Sequence, residues 1–290
     1  MKSTDGKINR FQYLIAVLSV LIAGLLAPRC EDDYLTINAF EAEGVNIGYE
    51  LADTTSTLRV AVVAMTCSEQ KGKNLTKIKS FIDEIMQTYP HTELICFGET
   101  ITGWYAEKPE YISAIAEPIP GAVTDSLVLL ADRHDVHISF GMAEQEGNRF
   151  YNSLVVINPE GEIIGVHRKN TLTSEDEAAG YSPVKNAQIV SIKDFNLGLM
   201  ICADVNGAWL TRQYIDAGID IILSAFASPI GLPNFNIISR RLNAWQIFPN
   251  RNGKEGDSEY SGLIYVSDPA GNICKHRINE ETYFTYTIAK

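Results

Sequence analysis

The apolar positions along the chain change period several times, and each change predicts a different element. Between 74 and 89, Leu75, Ile78, Ile82, Ile85 and Met86 recur near helical spacing, which predicts a helix with one core-facing stripe. Further helices are predicted over 122–134, 207–217 and 237–247. Short apolar runs of strand length lie between them: Leu94 to Phe97, Leu197 to Ile201, and Ile219 to Ala227. Residues 151–172 read as a hairpin, with an apolar strand, the turn Pro159-Glu160-Gly161, and a return strand ending at Lys169. Strands alternating with helices predict an α/β architecture.

The points where these elements stop carry the chemistry. The run Leu197 to Ile201 breaks at Cys202, and small and polar residues follow before the periodic stretch Trp209, Tyr214, Ile215. Strand, sharp turn and helix in succession lift a nucleophile out of a sheet, beside backbone N–H groups. Glu99 follows Gly98 at the end of the 94–97 run, where a carboxylate is held firm yet reaches a cleft. In the hairpin, alternation puts His167 and Lys169 on one face and Arg168 on the other. Taken alone each has an ordinary reading. A free cysteine is a small core residue, and Glu or Lys at a strand end is usually solvated.

Together the three form a reactive set. A thiol with a free pKa of about 8.5 is mostly protonated at neutral pH and needs a base or a positive field. A carboxylate can take its proton and later hand it to a leaving amine or activate water. A lysine ammonium, with the N–H of the residue after the cysteine, can hold the oxyanion of a tetrahedral intermediate. Losing one such donor typically costs roughly 3–4 kcal/mol of barrier.

With these residues in place, the chain resembles the nitrilase superfamily of carbon–nitrogen hydrolases from residue 58 to about 288. LRVAVVAMT resembles the opening strand, FGET the glutamate segment, YNSLVVINPEGEIIGVHRKNTL the lysine hairpin and LGLMICADV the cysteine elbow. SAFA, PNRNGKEG and YSGLIYVSDPAGNI follow in the family's order. The resemblance implies a four-layer α-β-β-α sandwich. It makes Glu99 the general base, Lys169 the oxyanion-stabilising cation, Cys202 the nucleophile, and the Ala203 N–H the second oxyanion donor. A second glutamate that holds the lysine falls in TSEDEAAGYSPV, at Glu177 with Glu175 as runner-up. Trp104, Tyr105 and Phe226 are candidate pocket walls, and ordinary core aromatics on their other reading. The implied reaction is hydrolysis of a small-molecule amide through a thioester, with no metal or cofactor. Acyl transfer to an amine, nitrile hydrolysis, and a catalytically silent binding protein on the same fold are the alternatives. Relatives commonly pair into homo-oligomers.

Two departures from the family pattern stand out. Gly98 precedes Glu99 where the family usually has proline, which predicts a looser strand end. After the 237–247 segment the family's Arg-Ala-x-Glu-Asn is replaced by Arg241-Leu242-Asn243-Ala244-Trp245, and only a short run leads to Pro249. That strand is expected to be short, altering a pocket wall or an oligomer contact.

Composition narrows the remaining classes. With 290 residues, 46% hydrophobic and 21% charged, the chain can bury a substantial core. A net charge of −12 argues against nucleic-acid binding, which needs a basic footprint. His134 and His137 flank a helix-to-strand junction without the partners a metal site requires. Five cysteines, at 30, 67, 96, 202 and 274, form no disulfide framework and fit a free reactive thiol. Lys2, Lys7 and Arg10 precede an apolar run from Phe11 to Ala27, then Glu31, Asp32 and Asp33. Residues 1–30 therefore read as a signal peptide or short membrane anchor, with the rest on the extracytoplasmic side. Cys30 suggests lipidation, against which Arg29 stands where a small residue is expected. Residues 31–57 read as an acidic linker before the hydrolase domain at 58–290.

Overall fold

Strand β1 (Thr57–Met65) shows how the sequence builds layers. Leu58, Val60, Val62 and Ala64 fall on one face and Ala61, Val63 and Met65 on the other, and all are buried. A strand apolar on both faces must be covered on both. The computed structural model describes residues 56–105, 108–231 and 237–290. The leader, Cys30 and almost all of the acidic linker lie outside these residues.

An eight-stranded sheet runs β11 (Ser258–Ser261), β10 (Asn250–Glu255), β1, β2 (Leu94–Cys96), β3 (His137–Glu146), β4 (Arg149–Ile157) and β5 (Ile163–Arg168), with β14 (Thr282–Ala289) also pairing β1. A six-stranded sheet runs β13 (Ile273–Arg277), β12 (Ile264–Ser267), β9 (Trp245–Phe248), β8 (Ile221–Ala225), β7 (Phe195–Ile201) and β6 (Ile189–Ile192). The sheets face each other across one apolar core. Leu58, Val60, Val62, Leu154 and Val156 of the first meet Val190, Leu197, Leu199, Ile201 and Leu223 of the second. Each such buried side chain contributes roughly 1.5–3 kcal/mol.

The outer layers are helical. Ile78, Ile82 and Ile85 of α1 (Lys71–Thr88), with Val123, Leu127 and Leu130 of α3 (Ala122–His134), cover the first sheet. Leu210 and Tyr214 of α5 (Ala208–Ala217), with Ile238 and Leu242 of α6 (Ile237–Leu242), cover the second. The architecture is the four-layer α-β-β-α sandwich.

Two short helices, α2 (Pro109–Ile115) and α4 (Ser174–Ala178), escape periodicity because neither has room for a repeated stripe. The helix predicted over 237–247 stops at Leu242. Asn243 adopts a left-handed conformation with φ of 51°, which ends the helix. Trp245 and Ile247 then alternate as strand residues against the inter-sheet core. Strand β9 is short, as expected, and the chain leaves it at Pro249 to enter β10 in the other sheet.

The strand end at Gly98 is tight, correcting the looser end expected there. A Cβ on Gly98 would lie 2.9 Å from both the Asn250 carbonyl carbon and the Phe226 carbonyl oxygen. On the neighbouring strand, a Cβ on Gly141 would lie 2.3 Å from the Thr100 nitrogen. Gly141 N–H donates to the Gly98 carbonyl at 3.1 Å, and Glu99 N–H donates to Phe226 O at 3.2 Å. Three backbones converge where only glycine fits.

Candidate active site

Each element delivers one reactive group at its end. Glu99 follows β2, Lys169 follows β5, and Cys202 follows β7. Glu99 and Lys169 are buried to within 1% of full exclusion from solvent. Lys169 Nζ donates to Glu99 Oε1 at 2.8 Å and lies 2.6 Å from Asp176 Oδ2. Asn152 Nδ2, on β4, donates to Glu99 Oε1 at 2.7 Å and to Asp176 Oδ1 at 3.3 Å. Glu99 Oε2 is buried and carries no hydrogen bond.

Asp176, not Glu177 or Glu175, takes the second carboxylate position. Both glutamates are exposed. A capping box sets this choice: Asp176 N–H donates to Thr173 Oγ1 at 3.2 Å, and Thr173 N–H donates to Asp176 Oδ2 at 2.9 Å. The third residue of a capped helix turns back toward the N-cap, which aims Asp176 inward. The signal is present in Thr173-Ser174-Glu175-Asp176, while the family's glutamate pattern points to the residues on either side.

The two carboxylates are driven apart in acidity. Burial pushes Glu99 up, Lys169 pulls it part of the way back, Asp176 opposes that pull, and the result is a raised pKa. Burial also works against Asp176, but Lys169 and the Thr173 and Tyr105 hydrogen bonds leave it below its ordinary value. For Lys169, burial would lower the pKa, yet Glu99, Cys202, Tyr105 and Asp176 together hold it well above the usual lysine range. Such divergence assigns separate tasks to neighbouring groups. Asp176, on the low side, pairs with the Lys169 ammonium, and Glu99, on the high side, binds a proton more readily.

Cys202 opens a short 3-10 turn, Cys202–Asn206, with φ of 42°. Left-handed backbone at a non-glycine residue costs on the order of 1–3 kcal/mol and needs support from its surroundings. Asp204, wholly buried, gives that support. Its Oδ2 accepts from Ile201 N–H at 3.0 Å and lies 2.8 Å from His167 Nε2. Its Oδ1 accepts from the N–H groups of Asn170 at 2.9 Å and Thr171 at 2.8 Å. One carboxylate thus ties the cysteine elbow to the segment that carries Lys169. Nothing in the local sequence sets Asp204 apart, since an aspartate in the first turn of a helix is commonplace.

Burial is the main reason that the Cys202 thiol is pushed above its ordinary value, with Glu99 adding to the rise and Lys169 opposing it. The cysteine is partly exposed and packs beside Phe226, Phe248, Leu263 and Tyr265. Phe226 and Phe248 stack at 4.2 Å between centroids. Tyr105 stands on the other side of the site, its hydroxyl donating to Asp176 Oδ1 at 2.8 Å and its ring 5.7 Å from Lys169 Nζ. Trp104 points elsewhere: its indole N–H donates to Cys67 O at 3.1 Å, and it packs on the helix-side core. Ala203 lies at the start of the 3-10 turn, where leading N–H groups have no partner within the turn itself.

His134 and His137 go to separate partners, Asp83 Oδ1 at 2.7 Å and the Glu93 carbonyl at 3.0 Å. Arg168, on the face opposite Lys169, pairs with Glu144 and Glu146.

Comparison with known proteins agrees with this fold. The carbon-nitrogen hydrolase family profile matches residues 59–289. An (R)-stereoselective amidase of a Pseudomonas species is 27% identical over 63% of this chain and 68% of its own. Omega-amidase NIT2 of Bos taurus is 26% identical over 78% of this chain and 87% of its own. Among solved structures, the protein XC1258 of Xanthomonas campestris, a CN-hydrolase superfamily member, superposes with a TM-score of 0.73 at 19% identity, covering 80% of this chain and 91% of that one. An amidase of Nesterenkonia sp. AN1 gives 0.70 at 17% identity, covering 80% and 90%. The fold and the family match converge, and the chain belongs to the carbon–nitrogen hydrolase family of the nitrilase superfamily, hydrolases of carbon–nitrogen bonds other than peptide bonds.

Proposed function

We propose that the protein is a thiol amidohydrolase that cleaves a small-molecule amide through a Cys202 thioester. The observation that carries this reading is the buried cluster in which Lys169 bridges Glu99 and Asp176 next to a strained cysteine.

The steps follow from the protonation states. Cys202 begins as a neutral thiol, so attack is coupled to proton loss. Its sulfur adds to the amide carbonyl carbon while Glu99 Oε2 takes the thiol proton. Lys169 and the Ala203 N–H hold the oxyanion. The carbonyl re-forms, the C–N bond breaks, and Glu99 gives its proton to the departing nitrogen, so ammonia or an amine leaves. Water then adds to the thioester, its proton going to Glu99. The C–S bond breaks, the carboxylic acid departs, and Glu99 returns the proton to sulfur. Asp176 holds Lys169 throughout, with Tyr105 and Phe226 as flanking walls.

A mutant of the Nesterenkonia sp. AN1 amidase shows covalent addition of the acetamide moiety of fluoroacetamide at its active-site cysteine, which supports the nucleophile assignment by analogy. The basic and apolar N-terminal segment supports an exported or membrane-anchored enzyme, and family habit supports a homo-oligomer.

The test compares residues 31–290 with the same protein carrying Cys202→Ala. Release of ammonia or amine is measured across aliphatic, aromatic, N-carbamoyl and amino-acid-derived amides. Release abolished by the substitution is the expected result. No release, together with a Cys202 inert to iodoacetamide, overturns the reading in favour of a binding protein. A Cys202 that alkylates readily without any hydrolysis points to acyl transfer.

A further inference from the structure

Residues 99–105 carry Glu99 and Tyr105 but belong to no strand or helix. Their carbonyls therefore need partners from outside regular structure. Ile101 O accepts from Cys67 Sγ at 3.6 Å and Thr100 O from Gly103 N–H at 3.2 Å, but most of the partners come from one side chain. Arg251, on β10, is fully buried, and its Nη1 donates to Glu99 O at 3.0 Å, Thr100 O at 2.9 Å and Thr100 Oγ1 at 2.9 Å. Its Nη2 donates to Gly103 O. The remaining edge meets Glu255, with Nε to Oε1 and Nη2 to Oε2 both at 2.8 Å. Glu255 Oε2 also accepts from Tyr105 N–H at 3.1 Å. One ion pair grips the turn at residues 99, 100, 103 and 105. Thr100 is held at φ of 45°, a conformation that needs such restraint.

We propose that Arg251 and Glu255 are positioning residues for the reaction, fixing the 99–105 turn so that Glu99 and Tyr105 meet Lys169 and Asp176 in register. The proposal rests on Glu99 being the proton carrier. The guanidinium reaches Glu99 through its backbone carbonyl, so the pair acts on placement. A buried ion pair is weak as a device for stability alone, because apolar replacements are often as stable. A planar fork with donors at fixed angles is what orients several carbonyls at once. The crossing at Pro249 brings this fork from the end of β9 to the underside of the turn.

Charge and geometry can be separated. Glu99 is faced by Lys169 and Asp176 from the hairpin and its following helix, by Cys202 from the elbow, by Tyr105 on its own turn, by Tyr181 and Tyr260, and by Arg251 from below. Glu255 is faced by Arg251, Tyr105, Tyr260 and Cys67. Glu255→Gln leaves the guanidinium uncancelled beneath Glu99, which favours the carboxylate and moves the acid limb of the kcat profile to lower pH. Arg251→Lys keeps the charge but loses the fork, so kcat falls with the limb in place.

The experiment measures kcat, KM and the pH profile of both variants on the amide that the wild type cleaves best, with circular dichroism of each. The expected result is a roughly 10- to 100-fold loss in kcat, the scale of a misplacement near 1 Å, with KM changed less than about threefold. Unchanged kcat in folded variants overturns the proposal alone. Loss of folded protein in both variants also overturns it, by making the pair a support of the fold. A wild type inert to every amide overturns this proposal and the functional reading together.

Discussion

Asp204→Asn tests whether one buried carboxylate holds the cysteine elbow against the lysine segment. The carboxylate meets four donors: Ile201 N–H and His167 Nε2 at one oxygen, Asn170 and Thr171 N–H at the other. Asparagine keeps the shape but offers only one acceptor oxygen. Its better orientation directs that oxygen at Asn170 and Thr171 and its amide at His167, whose ring can switch tautomer to accept. The Ile201 N–H is then left facing a donor. An orphaned buried donor costs about 1–3 kcal/mol, and the two surviving bonds weaken when their acceptor becomes neutral. The sum is roughly 2–5 kcal/mol, a large part of a typical stability of about 5–15 kcal/mol. At about 2–4 °C per kcal/mol for a domain of this size, the midpoint falls by roughly 4–20 °C. The same change loosens the turn that keeps Cys202 at φ of 42°, so kcat falls by at least about tenfold. Thermal unfolding followed by circular dichroism, with amide turnover on the same samples, checks both. A midpoint within 2 °C of wild type, or full kcat in a destabilised protein, would refute the clamp.

The raised pKa of Glu99 places the acid limb of kcat/KM above the ordinary carboxylate value of about 4.3; a pH profile with the limb at or below that value contradicts the assignment. Asp176 lies lower, so its contribution to stability is complete above its unfolded value and is lost as pH falls through the depressed folded one. Acid inactivation through Glu99 therefore precedes any unfolding through Asp176, and activity returns on neutralisation. Gly98→Ala pushes a methyl into the Asn250 and Phe226 backbones and should destabilise by roughly 1–3 kcal/mol in urea titration. Glu177→Ala should leave kcat unchanged and stability within about 0.5 kcal/mol, whereas Asp176→Asn should reduce kcat at least about tenfold.

The layers were legible where a side chain's periodicity has a single cause. The stripe Ile78, Ile82, Ile85 packs onto the first sheet, and the alternation of His167, Arg168 and Lys169 divides across β5 as read. Glu99 and Lys169 could be placed because strand ends put them there, and they meet directly. What escaped lies in irregular backbone. Asp176 was hidden by two adjacent glutamates, and only its capping box distinguishes it. Asp204 and Arg251 act on main-chain groups distant in sequence, a relation that no local pattern encodes. The tightness at Gly98 arises because three backbones from separate segments converge, although the sequence shows only a missing proline.

The reactive groups do not share one sheet. Glu99 and Lys169 ride on the first, Cys202 on the second, and between the sheets runs the core of Leu58, Val60, Val62, Leu199 and Ile201. On the proposed mechanism the site is a vernier for the sandwich: a slip of one sheet over the other, too small to alter secondary structure, separates the sulfur from its base. Trimming a side chain deep in that core, such as Val62→Ala, costs stability and on the same mechanism also disturbs the alignment of the two sheets. Turnover then reports on the packing between the sheets.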